Sequence, residues 1–157
     1  MEQQKQAPAQ ALFSVQAIRE HQQGLPGPLR YSERALAEAA HPKNVGRLPG
    51  ADAYGAFRGG CGDTMEIYLQ LDAGKIVKAT FMTSGQTSAI AAGSVLTTMV
   101  QGLSLEEAGK IQAGDVIQAL GGLPEAKVHC AKLMVTALRE AIANWRVREH
   151  QAQQNQR

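Results

Sequence analysis

The stretch MEIYLQLDAGKIVKATFMT, residues 65–83, decides the fold because two strand patterns in it flank a turn. Apolar residues alternate with more polar ones from Met65 to Leu71, which is the period of a strand with one buried face. Asp72-Ala73-Gly74 is typical of a tight turn, and Ile76 to Thr83 then predicts a returning partner strand. The stretch therefore predicts an antiparallel β-hairpin.

Helical patterns surround this hairpin. Ser32 is suited to cap a helix that runs to about Ala40, and Pro42 ends it because the residue before a proline avoids helical angles. The glycine-rich residues 55–62 predict a flexible, partly extended approach to Cys61. Four helices are predicted after the hairpin: from about Thr87 to Val100 before Gly102, from the capping box of Ser104 with Glu107, from Asp115 to Gly121-Gly122, and from about Lys127 to Arg148.

Composition limits the classes of protein to which the chain can belong. With 157 residues, 44% of them hydrophobic, it can bury one core of ordinary domain size. The net charge of +2 is small and dispersed, which argues against a nucleic-acid partner. No apolar run has the length of a membrane span, and the N-terminus lacks the features of a signal or transit peptide. We therefore expect a cytoplasmic protein with no membrane or nucleic-acid partner.

Differences in amino-acid composition divide the chain into three parts. Residues 1–28 are rich in Gln, Ala and Pro and predict a flexible or marginally helical extension, with Phe13, Val15 and Ile18 as its apolar anchors. Residues 29–149 are expected to form the folded domain. Residues 150–157 are polar and rich in Gln, which predicts a disordered tail.

Two short stretches carry the residue types that bind metals. They are Gly60-Cys61-Gly62-Asp63 and Lys127-Val128-His129-Cys130, which together offer two thiols, a carboxylate and an imidazole. Their spacing matches no zinc finger, so the fold would have to bring the two halves together. In a reducing compartment such a pair of cysteines favours metal or sulfur chemistry over a disulfide. The alternative is that both thiols are small buried hydrophobic groups.

The sequence around these stretches resembles the IscU/NifU-type iron–sulfur cluster assembly scaffolds. The resemblance runs from about Tyr31 to Arg148 in blocks that keep the family order. These blocks are Tyr31-Ser32-Glu33-Arg34, Pro42-Lys43-Asn44-Val45-Gly46, Cys61-Gly62-Asp63-Thr64-Met65, Gly74-Lys75-Ile76-Val77 with Phe81 and Gly85, Ser88-Ala89-Ile90-Ala91, and Leu123 to Cys130. With the strand and helix patterns, the resemblance predicts an α+β fold in which helices pack on one face of a small antiparallel sheet.

The resemblance also implies a function. A scaffold of this family accepts sulfur from a cysteine desulfurase, binds iron or a labile iron–sulfur cluster, here expected to be 2Fe-2S, and passes the cluster to apo-proteins; it is not an enzyme in the turnover sense. The implied ligands are Cys61, Asp63, His129 and Cys130, with Cys130 as the sulfur acceptor, and zinc is a possible occupant. The segment from Leu123 to Lys127 resembles the family's docking site for an Hsp70-type chaperone.

Two departures from the family pattern affect these expectations. Where the family has its second cysteine, after Gly85, this chain has Gln86, whose neutral amide is a poor ligand for iron–sulfide chemistry. In the chaperone segment Glu125 and Ala126 replace the usual Pro and Val. A second hypothesis therefore stands beside the scaffold: a degenerate paralogue that binds a single zinc or iron ion, or partners of the assembly machinery, in a regulatory role.

The last predicted helix gives a positional argument for Cys130. A stripe on one face of this helix contains Cys130, Met134, Leu138, Ala141 and Trp145. Cys130 lies in its first turn, where the helix dipole and nearby Lys127 favour a thiolate, so we expect a lowered thiol pKa. The alternatives are a core cysteine that continues the stripe, an Asp63 that only forms a turn, and a Gln86 that only bonds local backbone.

Overall fold

The hairpin that the sequence predicts is present as strands β2 (Thr64–Asp72) and β3 (Lys75–Thr83). A computed structural model of the chain describes residues 15–156. Ile67 lies opposite Phe81 and Leu69 opposite Ala79 in an antiparallel register. Ala73 and Gly74 turn the chain with positive φ angles of 50° and 76°. The alternating pattern buries Met65, Ile67 and Leu69 on one face of the hairpin.

A third strand, β1 (Ala53–Arg58), pairs antiparallel with β2 and makes the sheet order β1-β2-β3. Residues 55–58 of the expected flexible, partly extended approach are therefore extended, but as part of a paired strand. A glycine is needed at position 55 of this strand, because a Cβ there would lie 2.1 Å from the Ala141 backbone nitrogen. The glycine lets the last helix pack directly on β1.

The predicted helices are confirmed, with changes at their ends. They are α2 (Glu33–Ala40), α3 (Thr87–Val100), α4 (Leu105–Ala108), α5 (Ala113–Ala119) and α6 (Val128–Asn155). Ser32 caps α2, and Ser104 with Glu107 forms the predicted capping box of α4. The Asp115 carboxylate accepts a hydrogen bond from the Gln112 backbone N–H at 2.8 Å, so α5 begins before Asp115 instead of at it.

The predicted end of the last helix at Arg148 is too early. Residues 150–155, which we expected in a disordered tail, continue α6 to Asn155. Ala and Gln favour helix, so the polar composition that suggested a tail is equally compatible with an exposed helical end. The α6 stripe is buried at Cys130, Met134, Leu138 and Ala141, whereas Trp145 is only partly buried.

The helices cover one face of the sheet, as predicted. Helix α6 packs across β1 and β2, while α3 packs on β3 and α2 on α3. The largest side chains of this core include Phe81, Leu36, Leu96, Met134 and Leu138. The α+β architecture that the sequence predicts is therefore present, with the start of α3 and the start of α6 next to each other at one end of the sheet.

The N-terminal extension is ordered where it is described. Residues 15–21 form a helical segment, α1, in which Val15 is buried and Ile18 packs against the core. Gln22 then holds Tyr31 through two hydrogen bonds of 2.9 and 3.0 Å to the Tyr31 backbone N–H and carbonyl. Phe13, the third expected anchor, lies outside the described residues. Among residues 15–156 no helix has the length and apolar character needed to cross a membrane.

Candidate functional site

A cavity of about 430 Å³ lies where the starts of α3 and α6 meet the turn before β2. It collects residues from five separate parts of the sequence. Its lining consists of Ile18, Tyr31, Asp63, Ser84, Gln86, Thr87, Ser88, Lys127, His129 and Cys130. Three of the four expected ligands, Asp63, His129 and Cys130, thus face one space.

Hydrogen bonds at the end of the hairpin position this cavity. The Ser84 hydroxyl accepts from the Thr64 backbone N–H at 2.9 Å, and the Thr83 hydroxyl donates to the Thr64 carbonyl at the same distance. Gly85 must be small, because a Cβ there would lie 2.7 Å from the Ala89 Cβ and 3.3 Å from the Asp63 Oδ2. The loop that carries Gln86 is therefore held beside Asp63.

Cys130 lies in the first turn of α6, as the helical pattern predicts, and is buried. Its Sγ accepts a hydrogen bond from the Ser88 Oγ at 3.0 Å, and the His129 Nε2 lies 3.6 Å away. Burial raises the pKa of the Cys130 thiol; Ser88 and Lys127 oppose this, and Asp63 and Cys61 add to it. The expected lowering of the pKa is therefore wrong, because loss of hydration outweighs the helix end and Lys127.

Cys61 is exposed at the tip of a tight turn. The Gly62 N–H donates to the Gly59 carbonyl at 2.9 Å, and Gly62 has a φ of 93°, a conformation that suits glycine. The Cys61 Sγ lies 3.8 Å from the Asp63 Oδ2. Among residues 15–156, those that line the cavity do not include Cys61. The second thiol thus adjoins the site through Asp63 instead of facing it.

The Asp63 side chain lies at the cavity as well as in the turn. It is half-buried, lines the cavity and contacts the Cys61 thiol. The Gly59 backbone N–H donates to the Asp63 carbonyl at 3.0 Å, so the main chain closes the turn while the carboxylate is directed to the site. Asp63 connects the exposed thiol to the cavity that holds the buried one.

Gln86 is the N-cap residue of α3 and lines the cavity with an exposed side chain. Its carbonyl accepts the Ile90 N–H at 2.9 Å, but in the described part of the chain its amide makes no hydrogen bond that caps the helix. Gln86 therefore does not act through its side chain as a cap of α3, and the residue lies at the cavity.

The donors converge without forming a closed metal site. Among residues 15–156, no three His, Cys, Asp or Glu side chains lie close enough together to hold a metal ion. Tetrahedral binding of zinc or iron needs donors about 2.0–2.3 Å from one ion. Cys61 would have to swing toward the cavity, and the three glycines at positions 59, 60 and 62 give its turn the freedom to do so.

Sequence reasoning missed two residues of the site as functional candidates, Tyr31 and Ser88. Both lie within blocks that resemble the family, at Tyr31-Ser32-Glu33-Arg34 and Ser88-Ala89-Ile90-Ala91. Ser88 is buried and touches the Cys130 sulfur, and Tyr31 lines the same cavity. The blocks gave a signal of resemblance, but only the packing of α3 on α6 reveals the contact.

The segment from Leu123 to Lys127 leads directly into α6. Leu123 is buried, and the three residues Glu125–Lys127 form an exposed 3-10 helix. Gly121 and Gly122 precede it with positive φ angles of 73° and 110°. The exposed part of this segment therefore lies immediately before His129 and Cys130, so a protein bound there would be adjacent to the cavity.

Comparison with known proteins identifies the family. A family model described as the NifU-like N terminal domain matches residues 30–152. The chain is 40% identical over 116 residues to the iron-sulfur cluster assembly scaffold protein IscU 1 of Archaeoglobus fulgidus, covering 73% of this chain and 76% of that relative. It is 38% identical over 126 residues to the iron-sulfur cluster assembly scaffold protein IscU of Haemophilus influenzae, covering 77% and 99%.

The fold agrees with the sequence match. A crystal structure of a nitrogen-fixing NifU-like protein (N-terminal) from Brucella abortus superposes with a TM-score of 0.60 at 18% identity, covering 73% of this chain and 93% of that one. At that identity the likeness concerns the fold alone. Sequence and fold together show that the chain belongs to the family of NifU-like N-terminal domains.

Proposed function

We propose that the chain is an iron–sulfur cluster assembly scaffold, which accepts sulfur from a cysteine desulfurase and binds iron or a labile cluster for transfer to apo-proteins. The observation that carries the proposal is the single cavity shared by Asp63, Gln86, His129 and Cys130, with the Cys61 thiol against Asp63. The named scaffold relatives support it. A scaffold holds its cargo and releases it, so we do not assign turnover catalysis to the site.

Cys130 is the proposed sulfur acceptor. Its sulfur lines the cavity at the start of α6, where backbone N–H groups and Lys127 place positive charge. Burial raises the pKa of this thiol, so in the free protein the protonated form is favoured at neutral pH. Attack on a desulfurase persulfide would therefore include loss of the Cys130 thiol proton, which the departing donor thiolate can accept.

The donor set suits a labile cargo. Two thiolates, an imidazole and a carboxylate are ligands for a tetrahedral iron or zinc ion, and for a 2Fe-2S cluster of mixed ligation. A carboxylate holds iron less durably than a thiolate does. If Gln86 stands where related scaffolds have a cysteine, this chain binds its cargo with one soft ligand fewer and releases it more readily.

The proposed partners follow from the surface around the site. A cysteine desulfurase would approach the cavity, apo-proteins would receive the cluster, and an Hsp70-type chaperone would bind the exposed residues between Leu123 and Lys127. Glu125 and Ala126 are exposed there, so the departures from the family motif lie on the surface that such a chaperone would contact. Cytoplasmic location and the absence of nucleic-acid partners stay predictions.

The alternative is a regulatory paralogue that binds one metal ion. It is favoured by the neutral Gln86 amide at the cavity, which gives a cluster one soft ligand fewer. A protein of this kind would take up zinc or iron and bind assembly partners without building clusters.

Anaerobic reconstitution with iron, L-cysteine and a desulfurase separates the two functions. The scaffold predicts a visible sulfur-to-iron charge-transfer spectrum and about two irons per chain or per dimer, as a 2Fe-2S cluster requires. Colourless protein with about one metal ion per chain supports the regulatory alternative. Cys130→Ser and Cys61→Ser should each reduce the charge-transfer absorption, which ties the colour to this site.

A further inference from the structure

The Ser88 hydroxyl donates a hydrogen bond to the Cys130 sulfur at 3.0 Å. Ser88 is the second residue of α3 and is buried at 5% exposure, while Cys130 is buried at 3% in the first turn of α6. A serine in a first helical turn commonly bonds local backbone. Here its hydroxyl instead joins two helices that are far apart in the sequence.

Other polar groups around the sulfur are less constrained. The His129 Nε2 lies 3.6 Å from the Cys130 Sγ, and both His129 and Lys127 are exposed. Exposed side chains change rotamer readily, whereas a buried serine in a helix has one orientation fixed by packing. Ser88 is therefore the neighbour with a fixed position relative to the sulfur.

A second residue, Tyr31, lies next to Ser88. Burial raises the pKa of the Tyr31 hydroxyl, and the neighbouring Ser88 hydroxyl opposes this rise. Gln22 holds the Tyr31 main chain on both sides, with hydrogen bonds of 2.9 and 3.0 Å. Ser88 therefore has Tyr31 as a neighbour in addition to the Cys130 sulfur, to which its hydroxyl donates.

We propose that Ser88 is a positioning residue for sulfur acceptance: its hydroxyl holds the Cys130 sulfur so that the open side of that sulfur faces the cavity lined by Asp63, Gln86 and His129. Tyr31, the other neighbour of Ser88, limits the movement of the serine side chain. The inference rests on the proposed function, because it assigns a role in a step that the scaffold would perform.

The chemistry of that step makes orientation important. The Cys130 sulfur attacks the outer sulfur of a donor persulfide, R–S–SH, forming a new S–S bond while the donor S–S bond breaks. The donor leaves as a thiolate, which takes up the proton lost from Cys130, so the products are Cys130–S–SH and R–SH. The transferred sulfur keeps its oxidation state. Attack must occur along the breaking bond, so a sulfur that rotates freely reacts more slowly.

A sulfur-transfer experiment on the full chain tests this role. The probe is a desulfurase loaded with its own persulfide under single-turnover conditions, and peptide mass spectrometry measures the persulfide on Cys130 and on Cys61 separately. Ser88→Ala should slow transfer to Cys130 about tenfold, the effect of one lost hydrogen bond in a reacting complex. Ser88→Thr keeps the hydroxyl and should restore most of the rate.

Two further variants keep the test decisive. Ser94→Ala removes a buried hydroxyl from the same helix, at a position where it bonds Glu38, and should leave transfer unchanged. Tyr31→Phe keeps the ring in place and removes only the hydroxyl next to Ser88, so it should slow transfer even if the Ser88 variants fold poorly. Circular dichroism confirms that each variant is folded.

The outcomes separate the inference from the proposed function. Wild-type protein that gains no persulfide on Cys130 contradicts the proposed function, and the inference with it. Wild-type transfer matched by Ser88→Ala contradicts the inference alone. Slow transfer in both Ser88 variants, with Tyr31→Phe unaffected, shows that Ser88 only fills space and also overturns the positioning role.

Discussion

The Cys61 sulfur lies 3.8 Å from the Asp63 Oδ2, so Asp63 joins an exposed thiol to the cavity that contains the buried Cys130. The two cysteines therefore have different environments within one site. An exposed sulfur on a glycine-rich turn can move toward cargo or a partner. A buried sulfur at the start of a helix is held in one place.

This difference predicts different effects of removing each thiol. Cys130→Ser should abolish sulfur uptake from a desulfurase, because the sulfur that faces the cavity is lost. Cys61→Ser should weaken retention of iron or zinc but leave a persulfide on Cys130. Mass spectrometry of desulfurase reactions and metal analysis after chelator treatment measure the two effects. Persulfide found on Cys61 alone would reverse the assignment of the acceptor.

Gln86→Cys should strengthen cluster binding. The change replaces a neutral amide at the cavity with a soft, anionic ligand that suits iron–sulfide chemistry. The reconstituted cluster should persist longer when a chelator is added, as followed by its visible absorption. Gln101→Cys at the other end of α3 is the matched control and should change nothing. A Gln86→Cys cluster that decays like the wild type would show that this position does not reach the cargo.

Gly55→Ala should destabilise the fold. A Cβ at Gly55 would lie 2.1 Å from the Ala141 nitrogen and 2.5 Å from the Ala137 oxygen, both backbone atoms that cannot move without shifting α6. We expect a loss of about 1–3 kcal/mol in the free energy of unfolding, as for other overpacked sites. Gly114→Ala, in α5 with open space around it, should be neutral or stabilising. Chemical denaturation of both variants measures the difference.

Local sequence patterns were sufficient for most of the fold. Alternation between Met65 and Leu71 and the cap residues Ser32 and Ser104 each predict an element from a few neighbouring residues. Strand β1 was not predicted as a strand because Gly55 and the glycines that follow are typical of a loop, whereas Gly55 admits α6, which is distant in the sequence. The extension of α6 to Asn155 was missed because Gln-rich sequence is compatible with both helix and tail.

The site was predictable only in its residue types. Resemblance grouped Cys61, Asp63, His129 and Cys130; the structure brings the last three to one cavity and leaves the Cys61 sulfur outside it, beside Asp63. The raised pKa of Cys130 and the contact from Ser88 depend on how deeply the start of α6 is buried against α3. No pattern in one segment can indicate that depth, because it is set by packing between segments.

Glu38 should make the stability of the domain depend on acid pH. Burial opposes the charged form of Glu38, but hydrogen bonds from Ser94 and Lys43, with the charges of Lys43 and Arg34, lower its pKa overall. A lowered folded-state pKa contributes stability above the unfolded value, and this contribution is lost as the pH falls through the folded value. The difference in the free energy of unfolding between wild type and Glu38→Gln should therefore become smaller in acid.

Urea denaturation across the acid range measures this effect. The difference in free energy of unfolding between wild type and Glu38→Gln should be constant near neutral pH and decrease below about pH 4.5, the region of an ordinary glutamate pKa. Glu140→Gln, at an exposed glutamate of α6, serves as the control. A difference that stays constant into strong acid would contradict the assignment.

Cluster transfer is the measurement that tests the scaffold assignment most directly. Protein reconstituted under anaerobic conditions is mixed with an apo-ferredoxin, and the holo-ferredoxin is separated and measured by its absorption and activity. A scaffold with a labile site predicts that the cluster moves to the ferredoxin, and that it moves more slowly from the Gln86→Cys protein. A chain that binds metal yet never yields holo-ferredoxin, while a known scaffold does so under the same conditions, would contradict the account.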